Sequence, residues 1–344
     1  MTRDIEQRKR DHLKLAQDDS LKFSISAGFD NWRFRHNALP ELGLDEVDTS
    51  TRFLDKKLKF PLLISSMSGG FKESYNFNAT LATAAETVGC GLALGSIRAA
   101  LENESSRDSF LVSRQNAPGA LILANLGVAQ IISMSSQEVA AKFCEELKAD
   151  GLVIHLNSLQ EAFQPEGEPQ FKGALESIGQ WVKEFPFPII VKEVGQGLSP
   201  EVINRLEDVG VECVDIAGAG GSNWISIEKE RLPADSAVLK GVAAEFANWG
   251  EPTAQVLEAL NTKLKVIASG GLKTAMDLPI ALALGANLGG VAGVILNSAL
   301  NPGPNKLIET LMIWRETLKM AMFGTGTKSI DDLVSNNELL IRVS

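Results

Sequence analysis

The residues from His155 to Glu161 read HLNSLQE, five polar groups within seven positions. Such a cluster of His155, Asn157, Gln160 and Glu161 favours a built site over a chance turn. Glu161 is a hard oxygen donor suited to Mg²⁺, which usually takes one or two carboxylates plus substrate phosphates. Taken singly, Glu161 reads equally as a solvated loop carboxylate and His155 as a satisfied core histidine. Lys192 lies inside the apolar run FPIIVKEV. A buried lysine is rare unless it is paired or functional, so it either meets a neighbouring carboxylate or offers its charge to a ligand. Near the N-terminus, Arg8 and His12 are four apart on one helical face with Lys9 beside them, either a cationic claw or a solvated basic helix end. Gly220, Gly221, Gly270 and Gly271 are either tight turns or places where backbone N–H groups approach a phosphate closely.

These residues fall at the ends of repeated units. From residue 60 onward, short apolar runs end in Gly, Ser or Asn and longer helical patterns follow. The expected strands are 60–67, 90–96, 120–126, 151–157, 187–194, 212–218, 265–271 and 290–296. Their apolar character without strict alternation suits parallel strands covered on both faces. Eight such units predict a closed (β/α)8 TIM barrel rather than an open doubly wound sheet, and no GxGxxG follows the first strand. One domain is expected over 1–344, with a helical and irregular cap at 1–59, the barrel at 60–323 and a C-terminal tail at 324–344. The helix in SSQEVAAKFCEELKA should bury Val139, Phe143 and Leu147 and be capped by Ser135 or Ser136. The connections Ser158–Lys172 and Ala219–Asp235 are long, and they follow strands four and six, where barrels carry their active sites.

Composition sets the outer limits. The chain has 344 residues, 44% of them hydrophobic and 22% charged, and a net charge of −10. That suits a folded chain and argues against nucleic acid or an anionic membrane as partner. Cys90, Cys144 and Cys213 have no zinc-type spacing and make a poor disulfide framework. With no apolar signal segment at the N-terminus, a reduced, cytoplasmic setting is expected. Leu278–Asn305 carries no charge, but proline and glycines interrupt it. It reads as a helix (PIALALGA), a turn (NLGG) and a buried strand (VAGVIL) rather than a membrane span.

Taken in order along almost the whole chain, these features resemble the type 2 isopentenyl diphosphate isomerases, the FMN-dependent form. The motifs are Arg8-Lys9 with His12, Met67-Ser68-Gly69-Gly70, Gly95-Ser96 with Arg98, and Ala124-Asn125-Leu126-Gly127. His155-Leu156-Asn157 with Leu159-Gln160-Glu161 and the later Gln164-Pro165-Glu166-Gly167 is the most specific segment. Val191-Lys192-Glu193-Val194-Gly195, Gly218-Ala219-Gly220-Gly221, Trp224, Ile227-Glu228, Trp249-Gly250 and Ala268-Ser269-Gly270-Gly271 follow. Ser68 and Ser222 stand where the family usually has threonine, and Lys273 where arginine is also common.

The resemblance implies interconversion of isopentenyl and dimethylallyl diphosphates, a 1,3-allylic proton shift in isoprenoid biosynthesis. It also implies reduced FMN and Mg²⁺, with NADPH as reductant, and a homo-oligomer (tetramer or octamer). By analogy, Met67, Ser68, Gly69, Ser96, Asn125, Lys192, Ser222, Gly271, Lys273, Ala292 and Gly293 hold FMN. Lys192 would place its charge near N1 and O2 of the ring. Arg8, Lys9, His12, Ser96, Arg98, His155, Asn157 and Gln160 surround the substrate, Glu161 binds Mg²⁺, and Gln160, Trp224 and Glu228 serve catalysis. Protonating an unactivated alkene develops a tertiary cation, which needs a dry site, an electron-rich face and, from Trp224, cation–π support. Three rivals remain. A 2-hydroxy-acid oxidase type of FMN barrel needs a late histidine, and none follows His155. An inosine-monophosphate-dehydrogenase-like barrel needs a loop cysteine, whereas Cys213 lies in a strand. The third is a catalytically silent flavin-binding barrel.

Overall fold

The computed structural model describes residues 2–67, 69–71, 73–134 and 137–343. Eight parallel strands close into one barrel in chain order. They are β1 (Leu62–Ile64), β2 (Gly91–Ala93), β3 (Ile122–Gly127), β4 (Gly151–Leu156), β5 (Ile189–Glu193), β6 (Cys213–Asp215), β7 (Lys265–Ala268) and β8 (Leu288–Val291). Closure is made by β8 on β1, with Gly290 opposite Leu63. Nearly every strand residue is buried, as covering on both faces requires. The chain is thus the (β/α)8 barrel that the eight units predict.

Strand eight is a correction. VAGVIL is not one strand: β8 is LGGV, and Gly293–Leu300 is already helix. The glycines that read as a turn are in the sheet because neither face of the strand has room for a side chain there: Gly290 faces the barrel interior and Gly289 the helix Asp277–Ala283. A Cβ on Gly289 would lie 2.5 Å from Leu278 Cδ1, and one on Gly290 2.6 Å from Ser269 Cβ. A second correction concerns the helix Glu138–Leu147. Val139 is 48% exposed, and the buried face is Ala140, Phe143, Cys144 and Leu147. Those four follow the i, i+3, i+4, i+7 rule, which the four-residue spacing alone overlooked. The Ser135 and Ser136 caps lie outside the described residues.

The end of the barrel nearest the strand starts is sealed by protein. A hairpin within residues 1–59 (Thr51–Phe53 with Lys56–Leu58) inserts Phe53 and Leu58 beneath the strands. They pack with Leu63, Ala93, Leu121, Leu123, Val153, Ile190, Cys213, Ile267 and Leu288 in one apolar cluster. Burial there raises the Cys213 thiol pKa far above the ordinary range, so that thiol is inert packing. Two further pieces bind the chain's extremes. Trp32–Phe34 pairs antiparallel with Leu340–Arg342. Lys22 bridges to Ser222, so residues 21–23 lie along the loop after β6.

Among the described residues, no helix is long and apolar enough to cross a membrane.

Candidate active site

Two residues beyond each apolar interior position, the same face of the barrel turns polar or bare. Ser65, Gly95, Asn125, His155, Lys192, Ser269 and Gly290 stand two places past Leu63, Ala93, Leu123, Val153, Ile190, Ile267 and Leu288, and all seven line one cavity of about 680 Å³. Period-two alternation puts them on the inward face. Asp215, two past Cys213, completes the ring as a buried partner of Lys192.

The two long connections each contain a helix. In Ser158–Phe163, Gln160 is buried and Glu161 lies in the first turn. In Trp224–Arg231, the Asn223 side chain caps the start by accepting from the Ile225 and Ser226 N–H groups at 3.0 and 3.2 Å. That cap fixes Trp224 at the cavity and Glu228 one turn behind it. The helix Thr2–Leu15 covers the opening. Its Lys9 ammonium bonds the Gly69 carbonyl, and His12 meets the Trp224 ring edge-on with centroids 5.1 Å apart. The basic helix end is therefore not a solvated surface but part of the cavity wall.

A chain of hydrogen bonds joins these pieces. Glu228 Oε1 accepts from Gln160 Nε2 at 3.1 Å and lies 2.8 Å from His12 Nε2, and Arg231 Nη1 donates to Oε2 at 2.6 Å. With its amide oriented to satisfy both neighbours, Gln164 donates to Glu228 Oε1 at 3.2 Å and accepts from Arg8 Nη1 at 3.0 Å. Burial opposes the charged form of Glu228, but the bonds from His12, Gln160 and Arg231 outweigh it and hold its carboxyl below the usual range. Asn157 Nδ2 donates to Glu161 Oε1 at 2.8 Å, and the Glu168 N–H donates to Oε2 at 2.7 Å. His155 Nδ1 lies 2.8 Å from Asn125 Oδ1. Burial, then Lys192 and Arg8, push the His155 pKa down to about 3. Burial and the Arg8 charge lower Lys9 to about 7. Arg98 is held by Glu102 at 2.7 Å and Glu168 at 3.1 Å.

The structure brings nearly all the expected residues together. Arg8, Lys9, His12, Met67, Gly69, Ser96, Arg98, Asn125, His155, Asn157, Gln160, Glu161, Lys192, Ser222, Trp224, Gly271, Lys273, Ala292 and Gly293 line the cavity. Ser68 lies outside the described residues. Glu228 does not line it; it stands fully buried behind His12 and Gln160. His155 cannot count among the cations, because its desolvated ring is neutral. Lys192 satisfies both expectations, lining the cavity while its Nζ lies 3.8 Å from Asp215 Oδ2. The late glycines are needed by packing as well as by any ligand. A Cβ on Gly220 would lie 2.4 Å from the Ala27 nitrogen, and one on Gly270 2.1 Å from the Gly218 oxygen.

Ser65, Asp215 and Arg231 escaped the sequence reading, which quoted Gln164 within a motif but gave it no role. Asp215 carried a usable signal, a charge inside the apolar run ECVDIAG, just as Lys192 did.

Residues 132–340 match the profile of FMN-dependent dehydrogenases. An isopentenyl-diphosphate delta-isomerase of Cronobacter sakazakii is 42% identical over 335 residues, 96% of each chain. One from Chlorobium phaeovibrioides is 40% identical over 98% of each. The chain belongs to the isopentenyl-diphosphate delta-isomerase family. Two solved structures share the fold. A flavocytochrome b2 variant has a TM-score of 0.69 at 18% identity, covering 96% of this chain and 82% of its own. An (S)-mandelate dehydrogenase, a monotopic membrane protein, has 0.64 at 17%, covering 99% of both. At those identities only the fold is shared, so the 2-hydroxy-acid oxidase alternative gains no support beyond architecture.

Proposed function

We infer that the protein interconverts isopentenyl and dimethylallyl diphosphates, using reduced FMN and Mg²⁺ with NADPH as reductant, within cytoplasmic isoprenoid biosynthesis. The observation that carries this is one cavity combining a polar cradle on the barrel floor with a cationic and amide-lined roof.

The floor fits FMN. The Ser65 hydroxyl is buried with no partner, and the cavity has the volume of a site for a ligand of that size. Asn125 and Lys192 offer a donor and a positive charge to the polar edge of the ring. Gly270, Gly271 and the start of the helix at Ala292, Gly293 and Val294 line the cavity, where backbone N–H groups suit a phosphate. When bound in its reduced form, FMN supplies an electron-rich face beside the alkene and a nitrogen that can carry a proton.

The roof fits a diphosphate. Arg8, Lys9 and Arg98 supply charge, while neutral His155 and Asn157 supply hydrogen bonds. Among the described residues, no three His, Cys, Asp or Glu converge as a metal cage. Glu161 would be a protein ligand to Mg²⁺, an ion that usually takes one or two carboxylates together with substrate phosphates and water. Trp224 lines the same cavity, where its ring would give cation–π support to a developing tertiary cation. Gln160 is a weak acid, so its part is orientation and relay: Glu228 holds its Nε2 and leaves Oε1 toward Asn157 at 3.4 Å. The domain is read as a single unit of cap, barrel and tail, and a tetramer or octamer is the expected assembly.

The purified protein should be yellow, bleach with NADPH, and isomerise isopentenyl diphosphate only with Mg²⁺. A colourless protein that cannot be reconstituted with FMN, or one that turns over lactate or glycolate instead, overturns the reading.

A further inference from the structure

Glu193 is buried and contacts nothing in the cavity through its side chain, yet one of its oxygens is the most heavily bonded atom near the site. Oε2 accepts the backbone N–H groups of Val194, Gly195, Gln196 and Gly197 at 2.6, 2.6, 2.5 and 3.0 Å. Four consecutive donors on one carboxylate oxygen form an anion nest whose anion is part of the chain itself.

The first of those donors belongs to the peptide that joins residues 193 and 194. Its other end, the Glu193 carbonyl, accepts the Lys192 ammonium at 2.5 Å. The peptide is trans, so its N–H and C=O point in opposite directions within one rigid plane. Binding the N–H to the carboxylate therefore aims the carbonyl at Lys192. On the other side, Asp215 Oδ2 lies 3.8 Å from the same ammonium, while Asp215 Oδ1 accepts from the Ser269 hydroxyl at 2.6 Å. The ammonium is held between a carbonyl set by Glu193 and a carboxylate set by Ser269.

We propose that Glu193 is a positioning residue that fixes the Lys192 ammonium through the 193–194 peptide. The proposal rests on the reading that this ammonium faces bound FMN. A misplaced ammonium would stabilise the negative reduced ring less, so Glu193 governs how strongly the site prefers reduced over oxidised flavin.

The test measures the reduction potential and reduced-state absorbance of the FMN-bound protein with Glu193→Ala, Glu193→Asp and Glu193→Gln. Each is made alone and together with Lys192→Met. Glu193→Ala should lower the preference for reduced flavin about tenfold, ~30 mV more negative for a two-electron couple. Glu193→Asp should shift it the same way, because its shorter side chain reaches fewer of the four donors, and it serves if the alanine variant does not fold. Glu193→Gln keeps one acceptor oxygen and should restore most of the wild-type value. In the Lys192→Met background none of the three should shift it further, since coupled residues are non-additive. An unchanged potential in Glu193→Ala and Glu193→Asp, or a full additional shift in the double variants, overturns the proposal. Wild-type protein that takes up no FMN defeats the functional reading instead, which keeps the two failures apart.

Discussion

The lower and upper halves of this barrel's interior are built by the same eight strands, two residues apart, and share almost nothing else. Ile190 and Lys192 lie on one face of β5, as do Leu123 and Asn125 on β3 and Val153 and His155 on β4. The lower layer is apolar and sealed by Phe53 and Leu58. The upper layer is polar, partly unpartnered and roofed by separate segments. The difference shows a division of labour along each strand: the first interior residue holds the sheet together, and the next one serves the ligand. Burying unpaired polar groups is costly, so the upper ring is placed where loops, the N-terminal helix and a ligand can satisfy it.

The sharpest attempt to break this division is to exchange the layers. Ile190→Lys sets an ammonium among apolar side chains with no partner and should cost more than about 4 kcal/mol. Soluble protein with a wild-type urea midpoint would show that the lower layer is not a sealed core. Next comes Leu58→Ala in the hairpin plug. It should lose about 2–5 kcal/mol of unfolding free energy yet leave isomerisation per FMN-bound molecule unchanged. A matching loss of turnover would mean that the plug reaches the chemistry. Gln160→Ala should do the reverse. Turnover with saturating FMN and Mg²⁺ should drop about 100-fold, while the unfolding midpoint stays close to wild type because Glu228 keeps His12 and Arg231. Intact turnover removes Gln160 from its role.

The smallest effect concerns pH and Lys9. Its pKa in the folded chain is lowered to about 7 from 10.5. Below about 7 it carries its charge, and above that the charge falls away, so KM for the diphosphate should rise by up to about tenfold per pH unit. Stability should move the other way. Between about 7 and 10.5 the unfolded chain binds the extra proton, so this group's contribution to stability increases with pH. Lys9→Arg should flatten the KM profile, and a profile that keeps its slope would assign the titration elsewhere.

How much of this was readable beforehand follows the same two layers. The strands announced themselves as apolar runs, because burial on both faces leaves a composition signal. Lys192 stood out as a charge inside such a run, and Asp215 carried the same mark. Strand eight was misplaced because Gly289 and Gly290 look like a turn, and only the crowding by Leu278 and Ser269 shows why a strand needs them. Ser65 was hidden by being an ordinary serine at a strand end. Gln164 stood in a motif, but its bridge between Arg8 and Glu228 depends on two helices meeting, which no local pattern encodes. The neutrality of His155 is likewise a product of burial beside Lys192 and Arg8.

The pairing of Trp32–Phe34 with Leu340–Arg342 bears on the order of assembly during synthesis. The ribosome makes residues 32–34 early, but their sheet partner emerges only after all eight barrel strands. The segment just before them carries Ala27, which packs against Gly220 and Gly271, and the helix with Arg8, Lys9 and His12. Barrel strands can begin to pair as they appear, and residues 21–23 can dock once the loop after β6 is made, whereas residues 32–34 wait for a partner that follows all eight strands. The N-terminal cap is therefore fastened in two stages, first to the loop after β6 and then to residues 340–342, with the barrel completed between them.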